Sequence, residues 1–209
     1  MRLGAAVLAL ALLSGCDALN EARGVRTFAL LDGAVNARGP DGFCVDPAAS
    51  RPDAGFAAMG GCALISAIAL MPQTEGLITV QFGAPASASV AGNEGAVVAL
   101  LRSAQGAGLL SSSGRPEAIV VSGIDSAPGI VTVRFRDGAP PLAQGLEQTE
   151  LRAFLDIRGR LATVTVRGFT RAPMTEERGT DLMAQAVAAL RAANPAGAGD
   201  ATAPAAAMP

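Results

Sequence analysis

Residues 151–169 read Leu-Arg-Ala-Phe-Leu-Asp-Ile-Arg-Gly-Arg-Leu-Ala-Thr-Val-Thr-Val-Arg-Gly-Phe. Apolar and polar side chains alternate on either side of Arg158-Gly159-Arg160, the period of a strand with one buried face. Leu151 to Ile157 and Leu161 to Val166 are therefore expected to pair as a hairpin across that turn. Further on the period lengthens to that of a helix, expected from about Glu176 to Ala193 with Thr175 as its cap. Leu182, Met183, Ala186, Val187 and Leu190 make its buried face. Glu176 and Glu177 suit the positive end of the helix dipole, Arg191 the negative end, and Pro195 stops the helix.

Working back toward the N-terminus, a second hairpin is expected. Ile119–Ile124 and Ile130–Arg136 flank Asp125-Ser126-Ala127-Pro128-Gly129. Val131, Val133 and Phe135 should face the core, with Thr132, Arg134 and Arg136 outward. Before it lies an internal helix, capped by Asn93, with Glu94 in its first turn and a stripe of Val97, Leu100, Leu101 and Ala104. Ile78, Val80 and Phe82 mark a half-buried strand, and Phe56 to Ile65 reads as a buried strand with Gly60-Gly61 as a bulge. At the start, Arg26–Leu30 and Ala34–Arg38 flank Leu31-Asp32-Gly33, another hairpin. The turn Gly39-Pro40-Asp41-Gly42 then leads to a short strand at Phe43–Val45. Strands outnumber helices and hairpins dominate the connections. The expectation is an α+β fold: a mostly antiparallel sheet with an internal helix and an amphipathic C-terminal helix packed on it.

The stretch Leu161 to Phe169 running into that helix resembles the sandwich of the photosystem II extrinsic PsbP-like proteins, and the opening hairpin before Gly39 to Phe43 is similar. The resemblance covers most of residues 25–194. It implies a fold used mostly for binding and assembly, and it carries over no functional residue.

The first residues have a different role. Met1-Arg2 is a minimal positive start, and Leu3 to Leu13 is an apolar run of eleven residues, far short of the roughly 20 needed to span a bilayer. It ends in Leu13-Ser14-Gly15-Cys16, which resembles the lipobox of bacterial lipoprotein precursors at all four positions. That resemblance implies a signal peptide at 1–15, cut before Cys16, and a diacylglyceryl group on the Cys16 thiol. Two acyl chains there would hold the chain to a membrane. Residues 16–24 would then be a lipidated tether, 25–194 a single domain, and the Pro/Ala/Gly-rich 195–209 a disordered tail. The expected location is the periplasmic side of a membrane, with Asp17 after the cysteine favouring the inner one. Cys44 and Cys62, delivered to an oxidising compartment, are expected to form a disulfide.

All 16 basic residues are arginine, and histidine, lysine, tryptophan and tyrosine are absent. Past the leader, 15 arginines meet 18 carboxylates, a side-chain charge of −3 that points away from nucleic acid. Without histidine there is no Ser-His-Asp arrangement and no imidazole metal ligand; without lysine there is no Schiff base. No cofactor is implied. Carboxylates remain: Asp41 with Asp46, Glu147 with Glu150, and Glu176 with Glu177. Each has a plain reading as a turn, a polar loop and a helix N-terminus respectively. Asp32, Asp41 and Asp46 lack the spacing of an EF-hand calcium loop.

Arg134, Arg136, Arg152, Arg158, Arg160 and Arg167 all fall on the two C-terminal hairpins. If several share a sheet face, they form a cationic patch for anionic headgroups or an acidic partner. The plainer alternative is a solvated face with Asp137 and Asp156 interleaved. Two functions follow: a membrane-anchored binding or assembly module for an envelope protein partner, or a carboxylate-dependent enzyme acting on cell-wall material.

Overall fold

The two-residue turn Arg158-Gly159 has both residues at positive φ, 49° and 70°, the conformation that matches the twist of flanking antiparallel strands. It sets the register between β8 (Leu146–Ile157) and β9 (Arg160–Phe169), with Ile157 opposite Arg160 and, further along, Glu150 opposite Arg167. The computed structural model describes residues 25–65, 71–140 and 143–195. The leader, Cys16, the tether and all of the tail beyond Pro195 lie outside them.

The remaining strands are β1 (Thr27–Leu30), β2 (Val35–Arg38), β3 (Phe43–Arg51), β4 (Phe56–Gly61), β5 (Leu77–Phe82), β6 (Ile119–Ala127) and β7 (Ile130–Asp137). The helices are α1 (Cys62–Ile65), α2 (Glu94–Leu101), α3 (Ala104–Leu110) and α4 (Glu176–Ala193). Strands β1 and β2 form a small separate ladder. The other seven form one antiparallel sheet in the order β3-β4-β5-β9-β8-β7-β6. After β5 the chain crosses to the far edge, then returns strand by strand until β9 pairs with β5. The fold is α+β, as the periodicity implied.

The two faces of the sheet are covered over different halves. On one face, α4 and the β1–β2 ladder close over Leu151, Ala153, Leu155, Ala162, Val164 and Val166, burying Leu182, Met183, Ala186, Val187 and Leu190 as expected. Each large apolar side chain fully buried there contributes about 1.5–3 kcal/mol. The Asn194 side chain fastens the end of α4 to β2, accepting from the Asn36 N–H (2.8 Å) and donating to the Asn36 carbonyl (2.7 Å). On the other face, Leu101 of α2, Leu110 of α3 and Val90 of the segment before them cover Val131, Val133 and Phe135.

Several local expectations change: the short strand expected at Phe43–Val45 runs on to Arg51, and Gly60-Gly61 pairs in regular register with Cys44 and Phe43 instead of forming a bulge. The expected internal helix is two, α2 and α3, because Ser103 caps a new start by accepting from the Gly106 N–H at 3.1 Å. Gly106 permits the sharp approach, since a Cβ there would collide with the Leu100 carbonyl. Leu100 is consequently exposed, off the expected stripe. Asn93 makes no side-chain cap bond; Glu94 instead accepts from the Gly92 N–H at 3.2 Å. The strand expected through Ile65 stops at Gly61, where Cys62 turns back into α1 to bond Cys44, with their Cα atoms 4.8 Å apart.

Candidate functional site

Helix α4 packs on β9, β8 and β2. The outer strands β7 and β6 are left uncovered on that face, and a groove of about 490 Å³ runs between them and the flank of α4. Alternation along β7 brings Ile130, Thr132 and Arg134 to its floor, beside Leu151 of β8. Met183, Ala184, Val187 and Ala188 form the helix wall. Charged groups stand at its ends. Arg134 pairs with Glu176 (3.4 Å) and donates to the Thr180 hydroxyl (3.1 Å). Arg191 donates to the Gly129 carbonyl at 3.3 Å. Asp125, exposed on β6, meets no cation among the described residues.

A second, wider groove lies on the opposite face of the same strands. It measures about 750 Å³ and runs between the α2–α3 corner and β6, with Leu101, Ala104, Ala107, Ile119, Val121 and Ile124 against it. Where β6 turns into β7, the Gly129 N–H donates to the Glu94 carboxylate at 2.6 Å. That bond, with others from the backbone of Glu94 itself and Gly92, holds the Glu94 carboxyl below its ordinary value.

The third feature is a buried charge cluster. Glu150 is 2% exposed and lies between Arg167 and Arg152, pairing with both, the second at 3.0 Å. Burial pushes both guanidinium groups down, opposed by the negative charge of Asp137. The Arg152 guanidinium also stacks over the Phe135 ring, 5.1 Å from its centre. Burial raises the Asp137 carboxyl, but bonds from the Ser112 N–H and hydroxyl and the Ala139 N–H, with the charge of Arg167, outweigh it. Its pKa sits below the ordinary value. The two carboxyls with resolved shifts, Glu94 and Asp137, are thus both held toward the ionised form, opposite to what a general acid requires.

The six arginines do not share a face. Strand alternation sends Arg134 toward α4 and puts Arg152 and Arg167 behind the sheet with Glu150. Arg136 is exposed and donates to the Gln148 side chain. Arg158 occupies the hairpin turn, and Arg160 donates to the Gly83 carbonyl at 2.8 Å. Glu150, expected in a polar loop beside Glu147, is instead a buried strand residue. A signal was present: counting back from the Arg158-Gly159 turn places Glu150 opposite Arg167. Of the other carboxylates, Asp41 ion-pairs with Arg26 at 3.8 Å in its turn, and Asp46, a residue of β3, accepts from the Ala48 and Ala49 N–H groups where the strand's register shifts. Among the described residues no group of three or more His, Cys, Asp or Glu could hold a metal, and no helix is long and apolar enough to cross a membrane.

No protein-family model matches the chain, and no curated protein matches it in sequence. Among solved structures it is similar to the Ran-binding protein Mog1p of Saccharomyces cerevisiae, with 13% identity and a TM-score of 0.44 over 80% of this chain and 92% of that one. A single-residue variant of Mog1 gives 13% identity and a TM-score of 0.43 over 80% and 93%.

Proposed function

We propose that this chain is a lipid-anchored periplasmic module that binds a protein partner and holds it near the membrane, without catalysing a reaction. The groove beside α4 carries the reading. Its helix wall is apolar and open to solvent, and its floor sets Thr132 and Arg134 beside Ile130 and Leu151. Asp125 stands at its rim opposite Thr132, so an apolar space carries a few polar groups to orient a ligand. The lipobox Leu13-Ser14-Gly15-Cys16 supports the anchor, and the Cys44–Cys62 disulfide fits an oxidising compartment. Asp17 favours the inner membrane.

The alternative, a carboxylate-dependent enzyme acting on cell-wall material, draws on one observation: Asp125 and Glu176 line the same groove. Glu176, however, is held by Arg134. The test is in-cell crosslinking, mild-detergent extraction and affinity purification of the wild type beside Cys16→Ala. A stoichiometric protein recovered only with the wild type supports the anchored module. Recovery of none sinks it, and turnover of cell-wall fragments that is lost in Asp125→Asn would establish the enzyme.

A further inference from the structure

The two edges of the large sheet are built differently. The β3 edge is protected: Val25 bridges Val45 on its outer side, Pro47 interrupts it, and its register breaks between Asp46 and Arg51. The β6 edge has neither an outer bridge among the described residues nor a proline, although its register also shifts, between Val121 and Gly123. Its nine residues, Ile-Val-Val-Ser-Gly-Ile-Asp-Ser-Ala, contain no proline and one charge, Asp125, and its only strand partner among the described residues is β7. The register shift at Ser122 is sealed inward, where the Ser122 hydroxyl donates to the Arg134 carbonyl at 3.2 Å. Val120 projects from this edge 63% exposed. Each face of the strand borders a groove, and both grooves include Ser122 and Gly123.

An open edge flanked by two grooves suits an added strand. Main-chain bonds run along the edge while alternate side chains enter the two grooves. Resting on the reading of the chain as a binding module, we propose that β6 receives an extended segment of a partner protein as the eighth strand of the sheet. That segment lies one strand spacing beyond β6, so it is apolar where it meets Val121 and Ile124 on one face and where it crosses Gly123, which leaves open space, on the other. It carries a lysine or arginine against Asp125. This charge argues for a partner over a second copy, because β6 has no basic residue to offer another Asp125.

The probe is a synthetic nine-residue valine/leucine peptide with a central lysine and a polyethylene glycol tail for solubility, beside a version with central glutamate and one N-methylated at alternate amides. Binding is followed by titration and by amide hydrogen exchange on the full chain. The lysine peptide should bind and slow exchange of β6 amides at least tenfold, and the N-methylated peptide should not. Asp125→Lys should weaken the lysine peptide by about threefold or more and strengthen the glutamate peptide. Gly123→Val should weaken both at unchanged folding, since a Cβ at Gly123 meets nothing within 4 Å. Binding without β6 protection would overturn strand addition and leave the module reading intact. Protection that rises with protein concentration alone would assign the edge to a second copy. No binding at millimolar peptide would overturn the proposal, while a crosslinked partner would still stand for the module.

Discussion

Replacing Glu150 by alanine leaves Arg152 and Arg167 without their shared carboxylate, inside a sheet face that excludes most water. Their side chains are 19% and 12% exposed, and Glu150 is 2% exposed. Removing one partner from a buried ion pair costs about 3–5 kcal/mol. The residual exposure of both arginines, and the nearby charge of Asp137, put this case at about 3 kcal/mol. In a domain of this size that corresponds to a fall in Tm of about 6–12 °C. With no tryptophan or tyrosine, intrinsic fluorescence is a poor probe, so the melt should be followed by far-UV circular dichroism and calorimetry. Glu177→Ala, at the exposed start of α4, serves as the surface reference. A Glu150→Ala melt within about 2 °C of that reference would refute the reasoning, because the arginines would then be finding water as readily as they find Glu150.

Asp156 accepts from the N–H groups of Ser89, Val90 and Ala91 at 2.8–2.9 Å, so Asp156→Ala should cost about 2 kcal/mol by urea denaturation, its half-exposure tempering the loss. The Asp137 carboxyl is held below its ordinary 3.8, so the folded state binds fewer protons there than the unfolded chain. Its contribution is complete above that value and is lost as pH falls through the lower folded value; urea midpoints at pH 7, 5 and 3 should decline less steeply in Asp137→Asn. Reducing the Cys44–Cys62 bond, which closes a loop with a sequence separation of 18, should lower stability by about 3 kcal/mol in the chain-entropy model, read from urea midpoints with and without reductant.

Period and turn chemistry made much of this fold legible. The hairpins β6–β7 and β8–β9, α4 with its Thr175 cap, and the Cys44–Cys62 pair all rest on local patterns that packing reinforced. Where packing decided, the local pattern misled. Leu100, Leu101 and Ala104 fit one helical stripe, but the chain breaks at Ser103 because Gly106 lets α3 turn tightly against α2. Glu150 reads as loop because Glu147, Gln148 and Thr149 before it are polar, although the regular register from the Arg158-Gly159 turn places it opposite Arg167. The groove could not be read at all. It exists because α4 sits over β8 and β9 and stops short of β7, a tertiary placement that periodicity does not encode.

The crossover after β5 also has a kinetic consequence. Contacts within β6–β9 span short hairpins, whereas the nearest β5–β9 pair, Phe82 with Ala162, closes a loop of some 80 residues, whose entropy must be met before any contact rewards it. We therefore expect the β6–β9 meander to be structured in the folding transition state and β5 to zip onto β9 afterwards. Substitutions such as Val133→Ala should then slow folding, and Val80→Ala should chiefly speed unfolding; equal effects on both limbs of the chevron would contradict that order. Until β5 arrives, β9 is itself an unprotected sheet margin, open to pairing with another chain.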